Sequence, residues 1–261
     1  MRIAVAATAP FGADVLERLA ARHEVVALLT RPDKPAGRGR LSRPPAAKVM
    51  AERLGVPVLQ PERPTPELEL RADLVVVCAY GLLIPDSLLE RGLWLNVHPS
   101  LLPRWRGAAP VERALLAGDT ETGVTIHETV SALDAGPVAA QRSFPLATED
   151  DAGSVYARSA ALAAILLDEA LPEPTFRPQA GEPTYAAKIG REDRELDLSK
   201  PEESLNRIRA LSPHIGARTA LHGRRVTIWR ARLEDGALVP VEVQPEGKRR
   251  MSYDEFVRGL R

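Results

Sequence analysis

Arg2-Ile3-Ala4-Val5-Ala6-Ala7 runs directly into Thr8-Ala9-Pro10-Phe11-Gly12. A short apolar β-type run followed at once by a turn is the opening of an α/β unit, and Val15, Leu16 and Leu19 then recur at helical spacing. Working outward, Val25 to Thr30, Leu74 to Cys78 and Leu93 to Val97 repeat the β-type pattern. Val49 and Leu54 mark a helix between them, and Ser154 to Leu171 reads as a long Ala- and Leu-rich helix. This alternation is what a parallel sheet with crossover helices requires, so an open α/β sheet is expected. The first turn lacks the Gly-x-Gly-x-x-Gly pattern that lets backbone approach a pyrophosphate. Cβ atoms and a proline stand there instead, which argues against a nicotinamide-dependent oxidoreductase. Gly37 and Gly39 lack the Lys-Ser/Thr ending of a phosphate-binding loop.

The chain has 261 residues, 44% of them hydrophobic, enough for one large domain and a smaller one. Pro172, Pro174, Pro178 and Pro183 mark a stiff connector. We therefore expect a catalytic domain over 1–178, a linker over 179–199 and a C-terminal unit over 200–261. In the last, Ser199 and Glu202 form a capping-box pattern before Leu205, Ile208 and Leu211, and Ser252 with Glu255 repeats it before a final helix. Ala217 to Leu221, Val226 to Trp229 and Leu238 to Val243 read as strands. Lys plus Arg number 35 against 35 Asp plus Glu, so any basic patch is local. The lone Cys78, in an apolar run, excludes a disulfide framework or a cysteine metal site. No export signal or membrane span is read, and a cytoplasmic protein is expected.

The densest constellation is Leu93-Trp94-Leu95-Asn96-Val97-His98-Pro99-Ser100-Leu101-Leu102-Pro103-Arg104-Trp105-Arg106-Gly107. Strand side chains alternate, so Asn96 and His98 share a face with Cα atoms roughly 6.5 to 7 Å apart. They stand where the strand ends, the edge at which open α/β sheets bind ligands. An amide donor suits a developing oxyanion and an imidazole moves protons near neutral pH, a pairing that fits acyl chemistry. Asp134, in Leu133-Asp134-Ala135-Gly136-Pro137, is the candidate that orients the imidazole. The bland readings are an Asx cap, a packed histidine and a turn aspartate. A Ser100 hydrolase is disfavoured because the Gly-x-Ser-x-Gly elbow is missing.

Asn96-x-His98-Pro99-Ser100-Leu101-Leu102-Pro103 with Leu133-Asp134-Ala135-Gly136 resembles the folate-dependent formyltransferases. The likeness runs from the first strand to Pro145 and returns in Tyr185-Ala186-x-Lys188-Ile189. It implies a Rossmann-like catalytic domain with Asn96, His98 and Asp134 as catalytic groups and 10-formyltetrahydrofolate as formyl donor, with no metal. It also implies that Ser100, Leu101, Leu102 and Pro103 contact the folate, and that Tyr80, Leu83 and Ile84 belong to the pterin pocket wall. The family's first turn usually reads Gly-Thr-Pro-Asp-Phe, and this chain departs from it at Ala7-Thr8-Ala9-Pro10-Phe11.

Arg104-Trp105-Arg106-Gly107-Ala108-Ala109-Pro110 is similar to the branch acting on methionyl initiator tRNA. From Arg31 to Arg53 seven basic residues stand against Asp33 and Glu52, a density that suits a phosphate backbone. The bland reading is a solvated loop. The segment Thr30 to Arg40 resembles the loop that enters the acceptor stem in that branch, which implies tRNA contacts from Arg38, Arg40 and Arg43. Val241 to Met251 is similar to the end of the family's C-terminal β-barrel, and implies further contacts from Lys248, Arg249 and Arg250. Few residues separate Trp229 from Leu238, so an abbreviated barrel is expected, in a monomer. The rival readings are formylation of a nucleotide or sugar-nucleotide amine, hydrolysis of formyltetrahydrofolate, and RNA binding without catalysis.

Overall fold

The computed structural model describes residues 1–36, 41–171 and 173–260. Arg38 and Arg40 lie outside the described residues. In chain order the first elements are β1 (Arg2–Ala7), α1 (Pro10–Ala20), β2 (Glu24–Leu29), β3 (Lys34–Ala36), β4 (Leu41–Arg43), α2 (Ala46–Leu54), β5 (Val58–Leu59), β6 (Leu74–Cys78), α3 (Asp86–Leu89) and β7 (Leu93–His98). They are followed by β8 (Arg106–Gly107), α4 (Pro110–Leu116), β9 (Glu121–Glu128), β10 (Val138–Pro145), α5 (Ala152–Ala170) and β11 (Tyr185–Ala186). The last are α6 (Pro201–Leu211), β12 (Ala217–Leu221), β13 (Arg224–Glu234), β14 (Ala237–Pro245), β15 (Met251–Ser252) and α7 (Tyr253–Arg258).

The Rossmann-like sheet has the order β10-β9-β7-β6-β1-β2-β5. The pairs β1 with β2, β1 with β6 and β6 with β7 are parallel, while β7 and β9 are antiparallel. Burial explains why these runs are strands. Leu74-Val75-Val76-Val77-Cys78 is buried at every position, as a central strand covered on both faces must be. Each such Val or Leu contributes about 1.5 to 3 kcal/mol on leaving water. Cys78 is fully buried and its thiol is pushed far above its ordinary range by desolvation. Proline at the first position of α1 suits a turn whose N–H has no helical partner. Val15, Leu16 and Leu19 are buried as their spacing predicts. Gly12 is required for close packing: a Cβ there would meet the Cys78 carbonyl at 2.6 Å and the Ala7 Cβ at 2.7 Å. In α2, however, the buried stripe is Ala47 and Ala51, and Val49 and Leu54 face water, because two small side chains one turn apart bring that helix close.

By packing, one compact unit comprises 1–106, 123–143 and 157–184, and the other 107–122, 144–156 and 185–261. The expected linker is thus divided: residues 179–184 pack with the first unit and 185–199 with the second. The second unit also recruits α4. Val111 and Leu115 form an apolar cluster with Ala152, Val155 and Ala210, and Arg113 pairs with Asp193. Its other core joins Ile208, Leu211, Val226, Ile228, Val243 and Phe256. The sheet β12-β13-β14-β15 is open, and a tight turn with Asp235 and Gly236 at φ 49° and 77° joins β13 to β14. The C-terminal sheet is thus small and antiparallel. The capping box at Ser252 and Glu255 is present. That expected at Ser199 and Glu202 is not: the helix begins at Pro201, and the Ser199 hydroxyl bonds the Asp197 carboxylate instead. Among the described residues no helix is long and apolar enough to cross a membrane.

Candidate active site

The carboxyl end of β7 carries Asn96 and His98, and both converge on Asp134. Asn96 Nδ2 lies 3.1 Å from Asp134 Oδ1, and His98 Nδ1 lies 3.7 Å from Asp134 Oδ2. Asp134 reaches them from a turn in which its own φ is 46°, a left-handed conformation that a short polar side chain tolerates. His98 is held on its other side too, since Nε2 lies 2.8 Å from the Trp105 carbonyl. A carbonyl only accepts, so Nε2 carries the hydrogen and Nδ1 faces the carboxylate.

A second imidazole, that of His127, completes the cluster. The β7–β9 register sets Asn96 opposite His127 and His98 opposite Thr125. His127 Nδ1 donates to the Glu128 carbonyl at 2.8 Å, so Nε2 accepts from Asn96 Nδ2 at 3.1 Å. Burial, followed by the charge of His98, pushes His127 down to about 4, so it stays neutral near pH 7. Gly136 allows this packing, because a Cβ there would stand 1.8 Å from the Glu128 carbonyl. His127 sits in the β-type run that forms β9, but only the cross-strand register reveals its partner.

The segment after His98 is pinned. Ser100 Oγ donates to the Arg104 carbonyl at 2.7 Å and is fully buried, so it is not disposed as a nucleophile. Thr125 Oγ1 donates to the Ser100 carbonyl and Gln141 Nε2 to the Leu102 carbonyl. Leu102 and Pro103 are buried and Leu101 half-buried. Tyr80 and Ile84 sit in the core with Ala6, Leu29 and Val77, whereas Leu83 is 82% exposed. Of these three side chains, Leu83 is the exposed one.

Farther out, Asp33 holds Lys48 at 2.8 Å and accepts from Gln60 at 2.7 Å, fixing the base of the basic loop. Arg43 is exposed opposite Lys34 in the β3–β4 hairpin. In the second unit Lys248 and Arg249 are exposed, and Arg250 stacks 3.5 Å over the Trp229 ring.

Residues 1–171 match the family described as formyl transferase, and 188–237 match the formyl transferase C-terminal domain. The chain belongs to the formyl transferase family. Within it, the methionyl-tRNA formyltransferase of Cereibacter sphaeroides is 41% identical, over 100% of this chain and 96% of that protein. The methionyl-tRNA formyltransferase of Listeria monocytogenes is also 41% identical, over 97% and 93%. The first alignment runs over 295 positions against 261 residues here, so that relative carries stretches this chain lacks. In structure, the methionyl-tRNA formyltransferase from Clostridium thermocellum shares the fold, with a TM-score of 0.66 at 16% identity over 94% of this chain and 98% of that one.

Proposed function

We propose that this enzyme transfers the formyl group of 10-formyltetrahydrofolate to the α-amino group of methionyl initiator tRNA, acting as a monomer. The convergence of Asn96 and His98 on Asp134 carries the chemistry, and whole-length kinship with methionyl-tRNA formyltransferases carries the acceptor. The neutral amine adds to the formyl carbon, a nitrogen–carbon bond forms, and the bond from that carbon to the folate nitrogen breaks. One proton must leave the amine and one must reach the folate nitrogen. His98 Nδ1 is the ring nitrogen not committed to the Trp105 carbonyl, so it carries that proton, and Asp134 stabilises the imidazolium.

Asn96 supplies a further step. Both amide hydrogens are engaged, one on His127 and one on Asp134. Asp134 keeps the imidazolium at Oδ2, so an Asn96 hydrogen can turn from Oδ1 to the developing oxyanion without leaving the carboxylate unpartnered. Ser100, Leu101, Leu102 and Pro103, with Tyr80, Leu83 and Ile84, form the folate side. Arg38, Arg40, Arg43, Lys248 and Arg249 contact tRNA phosphates.

The test is incubation of labelled formyl folate with charged initiator tRNA, with nucleotide or sugar amines, or with no acceptor. Label in the tRNA fraction alone is expected. Label on the small amines, or free formate without acceptor, would replace the tRNA reading by one of those activities.

A further inference from the structure

We infer that Gln179 is a positioning residue for the formyl-transfer site, holding in register the two groups that bracket His98. The inference rests on the assignment of His98 and Asp134 as catalytic. Gln179 Nε2 donates to the Asp134 carbonyl at 2.8 Å and to the Gly136 carbonyl at 2.9 Å, gripping the turn on both sides of Ala135. Its Oε1 accepts from Arg106 Nε at 3.1 Å and Nη2 at 2.6 Å. The orientation of the amide follows from the network: guanidinium only donates and carbonyls only accept, so the oxygen faces Arg106.

The two gripped segments are the ones that meet His98. Arg106 directly follows Trp105, whose carbonyl holds His98 Nε2, and Trp105 has a φ of 64°. Asp134 faces His98 Nδ1 from a backbone that is also left-handed. Such conformations in residues with a Cβ persist only where surrounding bonds hold them. Thr184 anchors the same region, its Oγ1 accepting from Trp105 N at 2.9 Å and its carbonyl from Arg106 N at 2.8 Å. One half-buried amide therefore ties the carboxylate turn to the carbonyl side of the ring. Without it the Asp134 turn and the Trp105 segment are free to separate, and the 3.7 Å approach of Asp134 to the ring widens.

Two variants of the full-length chain separate the contributions. Gln179→Met keeps the length and removes every hydrogen bond, whereas Gln179→Glu keeps acceptors for Arg106 but sets a charge against two carbonyls. Both are expected to lower kcat roughly ten- to a hundredfold, the usual consequence of misplacing a catalytic group. The KM values for formyl folate and charged tRNA should stay within about threefold, since Gln179 is placed in neither pocket. The pH dependence of kcat should shift as well, because the Asp134–His98 geometry sets proton transfer.

Asp134→Asn serves as reference, with the folded fraction followed by circular dichroism. A slow Asp134→Asn beside a Gln179→Met of parental kcat and pH profile overturns the role of Gln179 alone. An Asp134→Asn of parental rate overturns the underlying assignment. A parental rate in Gln179→Glu, or a loss in both variants that follows folded fraction with no change in pH profile, reduces Gln179 to a structural role and also overturns the inference.

Discussion

The imidazole Nε2 of His127 lies 3.1 Å from the amide nitrogen of Asn96, across the antiparallel pair β7–β9. The bond requires a neutral ring, and burial provides one by pushing His127 down to about 4. An unfolded histidine titrates near 6.5. Above that pH both states are neutral; as pH falls from about 6.5 towards 4, only the unfolded chain takes the proton, and folding stability is lost. Replacing His127 by Met should abolish this part of the acid sensitivity. Urea midpoints at pH 7.5 and 4.5 measure it: the parent should lose more between the two than the variant, and equal losses would exclude a buried neutral ring.

His98→Ala and Asn96→Ala should fold normally and each lower kcat by about a hundredfold or more, the range for losing a proton carrier or an oxyanion donor. Turnover with charged initiator tRNA is the measurement. Near-parental kcat in either would remove that residue from the reaction.

On the folate side, Leu101 and Leu102 should part company. Leu102 is only 4% exposed, so Leu102→Asp should act mainly on folding, lowering the thermal midpoint. Leu101 is half-buried, and Leu101→Asp should raise the KM for formyl folate at least about tenfold, because ligand binding would desolvate the carboxylate. The KM for tRNA should barely move. Equal effects on both substrates would take this segment out of the donor pocket.

The basic loop can be tested at a residue the structure describes. Arg43 is exposed at the end of the β3–β4 hairpin, whereas Lys48 is committed to Asp33. Arg43→Ala should weaken charged-tRNA binding and reduce the log-log salt slope by about 0.9, the value for one phosphate of a duplex that is no longer neutralised. Arg38→Ala with Arg40→Ala should do so about twice over. Unchanged slopes in both variants would return the loop to solvent.

Much of this is legible in the sequence because it depends on local pattern. Buried strands such as Leu74 to Cys78 show themselves as unbroken apolar runs, and the shared face of Asn96 and His98 follows from strand alternation. What escapes depends on pairing between distant segments. His127 acquires its partner from β-sheet register, and Gln179, 45 positions beyond Asp134, falls where the proline-rich pattern reads as the start of a linker. Nor does residue type reveal direction within a core: Tyr80 lies in the wall motif, yet its ring is turned inward with Leu29 and Val77. At Ser199 the capping pattern is right in letters, but Pro201 sets the helix start.

The single cysteine has a practical corollary. Cys78 is sealed in the central strand and its thiol is held protonated by burial. Alkylating reagents therefore meet a silent background in the folded chain, and a cysteine substituted at an exposed site such as Arg43 or Arg249 would be the one position to react. A fluorophore attached there would test for tRNA contact at the basic hairpin and at the β14–β15 turn separately, with no native cysteine to remove first.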